Sequence, residues 1–266
     1  SLWYYVEGIF YNLFGPTTLV SRFTTLLFGS FLIILIYIFV KKVFKSEKIA
    51  LVSAFLVAIS PMLIKQTLPE MDVAVAFFLI LGALFLFQYC ETNSKKYLVL
   101  SAFIIGTGTM IKLYMLFFAV SFLLFLIYKD YQKKVDRKKT AKKVLLFVII
   151  ISILVIPTLA HNYLLYKDKG FMDFIFTNTL KIGVEKSQQY YNWDAAWAKK
   201  VDYAGFFFGN QIDFEGHPAE FLPGFIILLY YLFLGDPIII LIGLTGLVLS
   251  FKKKNDYYYF VIIVSL

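Results

Sequence analysis

The sequence predicts an all-α, polytopic transmembrane protein with juxtamembrane helices in its outer loops. Three observations predict it. Of the 266 residues, 60% are hydrophobic and 20% aromatic, while only 16% are charged; a soluble chain of this length needs more polar surface. The apolar residues fall in long runs that a bilayer accepts and water does not. The lysines and arginines gather in alternate connections between those runs, the pattern that orients spanning helices.

In chain order the apolar runs are 18–40, 49–64, 73–90, 97–111, 113–128, 144–160 and 237–251. Several are shorter than the roughly 20 residues that cross a hydrocarbon core upright, and local thinning of the bilayer accommodates short spans. Ser1 is not an initiator methionine, and no signal-peptide pattern precedes the first long run. Asp256 is followed by YYYFVIIVSL, which reads as the opening of another span. The expectation is seven passes and the start of an eighth, with residues 1–266 forming part of one transmembrane domain.

Charge gives the orientation. The connections 41–48, 91–96, 128–143 and 252–254 hold 4, 2, 8 and 3 of the 26 Lys and Arg residues. Short loops of this kind stay cytoplasmic. The net charge of +9 is therefore a topology signal, and a nucleic-acid surface is a poor reading of it. Residues 8–16, 65–72, the corner at Lys112 and the segment 161–222 then fall outside. That last segment is the one large extracytoplasmic loop. It mixes aromatics with charges (MDFIF, YYNWDAAWAKK, DYAGFFFGNQIDF), which flexible linkers avoid, and is expected to lie on the membrane as short amphipathic helices. Residues 219–234 read as one more interfacial helix, ended by Gly235-Asp236-Pro237.

A few polar residues ask for an explanation. Asp72, in KQTLPEMDVAVAFFL, stands where a span begins. It is either an N-cap accepting from the free N–H groups of the first turn or an acid at the mouth of a membrane cavity. Glu70 shares that site or faces water. Lys112, in GTGTMIKLYMLFF, breaks two half-length apolar runs. It is either a lysine snorkelling at a hairpin tip or a cation aimed at a phosphate, since an ammonium there is costly without water or a partner. Arg22 is an anchor or a headgroup contact. His217, in DFEGHPAEFLPGF, lies near acids but lacks a second ligand at a diagnostic spacing. His161 reads as interfacial. Trp193 and Trp197 suit an interface belt or sugar stacking. The single cysteine, Cys90, leaves no internal disulfide and no thiolate metal site. No nucleotide-binding motif and no repeat of fixed period is present.

The order of these features resembles the polyprenyl-phosphate-dependent glycosyltransferases of the GT-C superfamily, which include protein O-mannosyltransferases and lipid A aminoarabinose transferases. SLWYYVEGIFYNLFG followed by VSRFTTLLFGSFLIILIYIFVKKVF is similar to the stretch after their first outer loop. ALVSAFLVAISPMLIKQTLPEMDVAVAFFLILGALFLF resembles the next helical pair, and YLVLSAFIIGTGTMIKLYMLFFAVSFLLFL the broken hairpin with a lysine at the break. HPAEFLPGFIILLYYLFLGDP is similar to the end of the large outer loop. The likeness extends over most of 1–165 and again over 215–250.

The resemblance implies transfer of a sugar from a polyprenyl-phosphate carrier to an acceptor hydroxyl, with membrane lipid as surroundings and a glycan, lipid or protein as acceptor. It maps Asp72 onto a second, supporting catalytic acid, whose site Glu70, two residues earlier, is a candidate to share. It maps Lys112 onto the lysine at the break and His217 onto the loop histidine; Lys112 and, as a headgroup contact, Arg22 are then the candidates for binding the donor, and His217 the candidate ligand of a divalent metal ion. It also places the principal catalytic acid before Ser1, so the fragment alone is expected to be inactive. Two other readings stand beside it: a transporter or lipid flippase, and a non-catalytic homologue of the same fold.

Overall fold

The computed structural model of the chain describes residues 1–60 and 71–170, with the single residues 172 and 176. Every element among the described residues is an α-helix: α1 (Leu2–Phe14), α2 (Thr18–Phe44), α3 (Glu47–Ala58), α4 (Asp72–Thr92), α5 (Lys95–Ile111), α6 (Met115–Gln132) and α7 (Arg137–Lys169). Four of them, α2, α4, α6 and α7, are long and apolar enough to cross a membrane. Ser1–Pro157 belong to one compact unit. A second begins at Thr158, and its described part is chiefly the last stretch of α7. The segment 219–234 and the run 237–251 lie outside the described residues, as do the last four residues of 49–64 and most of 161–222.

The helices begin and end where side chains can satisfy the backbone groups that a bilayer leaves without partners. Thr17 Oγ1 accepts from Val20 N to start α2, and Ser46 Oγ accepts from Ile49 N to start α3. Asn93, at φ 58°, turns the chain out of α4 while its N–H returns to the carbonyl of Tyr89. Left-handed geometry of this kind suits asparagine better than most residues. α2 runs on through Lys41-Lys42-Val43-Phe44, four residues past its apolar stretch, because lysines near a helix C-terminus meet both water and a favourable dipole. α7 likewise continues from Ala160 to Lys169. α1 is a short amphipathic helix that apolar-run counting does not reveal.

Lipid tails are as apolar as leucine, so helices in a bilayer associate through close packing rather than through expulsion of water. α5 shows how this is done. Ser101 Oγ donates to the carbonyl of Gly82 on α4 at 2.8 Å. A Cβ on Gly82 would come within 2.6 Å of Ile105 Cδ1, and one on Gly106 within 2.5 Å of Leu154 Cδ1 on α7. On Gly108 it would meet Met115 Cε at 2.6 Å. Around these contacts Leu86, Phe87, Phe122, Phe125 and Phe147 form the buried interior. Phe87 packs against Phe125 and Phe39 at centroid distances of 5.4 and 5.5 Å. The aliphatic side chains of α2 and α7 that point away from this interior are exposed and suit the lipid.

Three connections meet at one end of the bundle. Lys42, near the end of α2, pairs with Glu91 of α4 at 2.7 Å and donates to Gln88. Lys133, after α6, donates to the carbonyl of Cys90. Asp130, its side chain only 7% exposed, is held by Lys143 through both oxygens at 2.8 Å and by Thr140 Oγ1 at 2.9 Å. This end therefore collects the basic connections that follow α2, α4 and α6. The start of α4, the end of α5 and the start of α6 gather at the other end.

The glycine contacts make a prediction. Gly106→Val should destabilise the protein by about 1–3 kcal/mol through overpacking, since Leu154 Cβ, 3.1 Å from the new Cβ, cannot swing aside. Gly8→Ala, with open space around it, should not. Thermal unfolding of the purified protein checks both, and equal melting temperatures for the wild type and Gly106→Val would refute the packing.

Candidate functional site

Two helix ends face one another across a three-residue corner. α5 stops at Ile111, and Lys112 adopts an extended backbone (φ −139°, ψ 125°) with its N–H on the carbonyl of Gly108. The carbonyl of Lys112 then accepts from Met115 N at 3.1 Å, so α6 begins at once. A cation at a helix C-terminus is favoured by the dipole. Across the corner, Asp72 is the first residue of α4, where an anion is favoured for the same reason.

The two charges meet. Lys112 Nζ lies 2.7 Å from Asp72 Oδ1, and the Tyr114 hydroxyl donates to the same oxygen at 2.8 Å. Lys112 Nζ also sits 5.7 Å from the centre of the Tyr114 ring, within cation–π range. Oδ2 of Asp72 accepts no hydrogen bond from a described residue. The side chains of Lys112 and Asp72 are 29% and 32% exposed, so the pair is only partly buried. α1 closes another side: Ser1 Oγ donates to the carbonyl of Ile111 at 2.8 Å and lies 3.5 Å from Met71 Sδ. The start of α1 is thereby pinned to the residues that immediately precede Lys112 and Asp72.

This geometry decides two readings of the sequence. The cap of α4 is Met71, without a side-chain hydrogen bond, and the Asp72 carboxylate reaches across the corner instead of capping its own helix. Lys112 does not snorkel alone; it is ion-paired. Burial first, and then the neighbouring Asp72 charge, hold the Tyr114 phenol well above its ordinary range, so the ring stays protonated and keeps donating.

Of the residues singled out from sequence, Asp72 and Lys112 come together. Arg22 does not join them: it is exposed on α2, about 10 Å along the helix from Gly29, the residue that faces Val73. His161 lies on α7, exposed. Glu70 and His217 fall outside the described residues. Tyr114 was hidden inside an apolar run, and its partner is 42 residues away, so no local spacing could reveal it. Glu7 was missed as well. It is 8% exposed and accepts from Ser21 Oγ at 2.6 Å, which ties α1 to α2. No three His, Cys, Asp or Glu side chains converge on a metal-sized site among the described residues.

A family model described as dolichyl-phosphate-mannose-protein mannosyltransferase matches residues 2–161, a stretch that contains the whole corner. No curated protein and no solved structure matches the chain.

The protonated phenol is testable. Its pKa is raised on folding, so its contribution to stability is present below about pH 10 and is lost as pH rises through the folded value. The ultraviolet difference between wild type and Tyr114→Phe should show this phenolate appearing only above the ordinary tyrosine midpoint of about pH 10. A phenolate appearing at the ordinary tyrosine midpoint would contradict the hydrogen bond to Asp72.

Proposed function

Because the chain belongs to the dolichyl-phosphate-mannose-protein mannosyltransferase family, whose members are membrane glycosyltransferases of the GT-C type, we propose that it moves a sugar from a polyprenyl-phosphate donor to an acceptor hydroxyl at the extracytoplasmic face. The observation that carries this reading is the joining of Asp72, Lys112 and Tyr114 at one end of the bundle. The basic connections lie at the other end, about 30 Å away along α4, and short basic loops favour the cytoplasm.

The chemistry follows from the groups present. The acceptor oxygen attacks the anomeric carbon, the bond from that carbon to the phosphate oxygen breaks, and the polyprenyl phosphate leaves with the electron pair. Lys112 offsets charge on the leaving phosphate. Asp72 uses Oδ2 toward the acceptor while Oδ1 stays held, supporting the acid that takes the acceptor's proton. Arg22, exposed on α2 and apart from the corner, would contact a lipid phosphate further out. The described residues do not by themselves form a divalent-metal site, since Asp72 brings no second carboxylate or histidine with it, and no step here runs through a metal. A transporter would place charges near the middle of broken helices; in the described spans the charges lie toward the helix ends instead.

In the intact protein in membranes, Asp72→Asn should lower transfer from a polyprenyl-phosphate sugar by about 100-fold or more. Lys112→Ala should raise KM for the donor by more than it lowers expression. Full transfer by a normally folded Asp72→Asn protein would remove Asp72 from the site.

A further inference from the structure

α7 carries two stripes. The inward one is Lys143, Phe147, Ile151 and Val155, at four-residue spacing. Its three apolar members are buried, and Lys143 closes it by pairing with Asp130. The outward stripe is Lys138, Lys142, Leu145, Ile149, Ile153 and Ile156, which share a face at i+3 and i+4 spacing. Its four aliphatic members are 45–59% exposed. One face of α7 therefore holds two cations and, directly below them, an open aliphatic surface.

The cations stand in an electrostatically poor place. Arg137, Lys138, Lys139, Lys142 and Lys143 occupy the first two turns of α7, with no acid in the first turn, where the helix dipole repels positive charge. Lys143 has its partner in Asp130. Arg137, Lys138, Lys139 and Lys142 form no ion pair with any described residue. Asp136 is turned to the backbone instead, its carboxylate accepting from Lys138 N at 3.2 Å. Among the described residues, no acid answers this charge.

Spacing and depth identify the anion. Side chains four apart on a helix stand about 5–6 Å from one another, so Lys138 and Lys142 can share one phosphate. The stripe turns aliphatic at Leu145, as a lipid-facing helix does where headgroup gives way to hydrocarbon. The aliphatic part contains only Leu and Ile, without the small residues that let a second helix approach closely. We propose that the outward stripe of α7 binds an anionic phospholipid, its phosphate between Lys138 and Lys142 and its acyl chains along Leu145, Ile149 and Ile153. This site is independent of the sugar-transfer reading.

Native mass spectrometry of the detergent-purified intact protein, with phosphatidylglycerol or phosphatidylcholine added, tests it. The wild type should retain phosphatidylglycerol in preference. Lys138→Gln/Lys142→Gln should weaken that retention by about fivefold per lysine. The matched Lys45→Gln/Lys48→Gln protein, on the α2–α3 connection, should stay near wild type. Circular dichroism and elution volume confirm that each variant is folded. Equal losses in the two double variants would replace the site with diffuse charge attraction. Displacement of the lipid by an equal concentration of inorganic phosphate would reduce it to a simple anion site. Photo-crosslinking from Leu145 to a second copy instead of lipid would also overturn the proposal.

Discussion

An ammonium and a carboxylate at the edge of a bilayer each lose water that they can recover only from a partner. Lys112 and Asp72 supply one another at 2.7 Å, although 40 residues separate them. Much of the rest of this end depends on that pairing. It brings the end of α5 to the start of α4, it aligns each charge with the helix dipole that favours it, and it places Tyr114 where its hydroxyl can hold the same oxygen. Because both side chains keep about a third of their surface open, the contact is a polarised site as much as a structural tie.

The remainder of the bundle is arranged so that this corner can stay polar. The middle of the described helices is apolar and tightly packed, with Gly82, Gly106 and Gly108 letting α4, α6 and α7 close onto α5. The far end is fastened by charges of its own, above all the buried Asp130 held by Lys143 and Thr140. Polar ties at both ends and close packing between them hold the described helices together.

Much of this was legible in the sequence because bilayer helices are long apolar runs with charged punctuation. The run 73–90 became Asp72–Thr92, and the run 97–111 became Lys95–Ile111 with the break at Lys112. The runs 18–40 and 144–160 were read short, since α2 and α7 continue into lysine-bearing turns that hydropathy discounts. α1 was not read as a helix because 13 residues with tyrosines on one face form no membrane-length run. The chemistry was legible only in part. Asp72 and Lys112 announced themselves as charges at apolar boundaries. Their pairing, the Tyr114 hydrogen bond and the buried contact of Glu7 with Ser21 all join residues with no shared periodicity, so only the fold could reveal them. The N-cap reading of Asp72 failed because a cation across the corner competes better for the carboxylate than the weak amide donors of its own helix.

The most direct test of whether this corner is a catalytic site or merely a tie is to exchange its charges. Asp72→Lys and Lys112→Asp should each destabilise the intact protein. The double exchange restores an ion pair of opposite sense and should recover part of that stability. If the corner acts on a sugar donor, the double exchange will recover thermal stability and still fail to transfer. If transfer returns together with stability, the pair serves the fold alone and the site lies elsewhere.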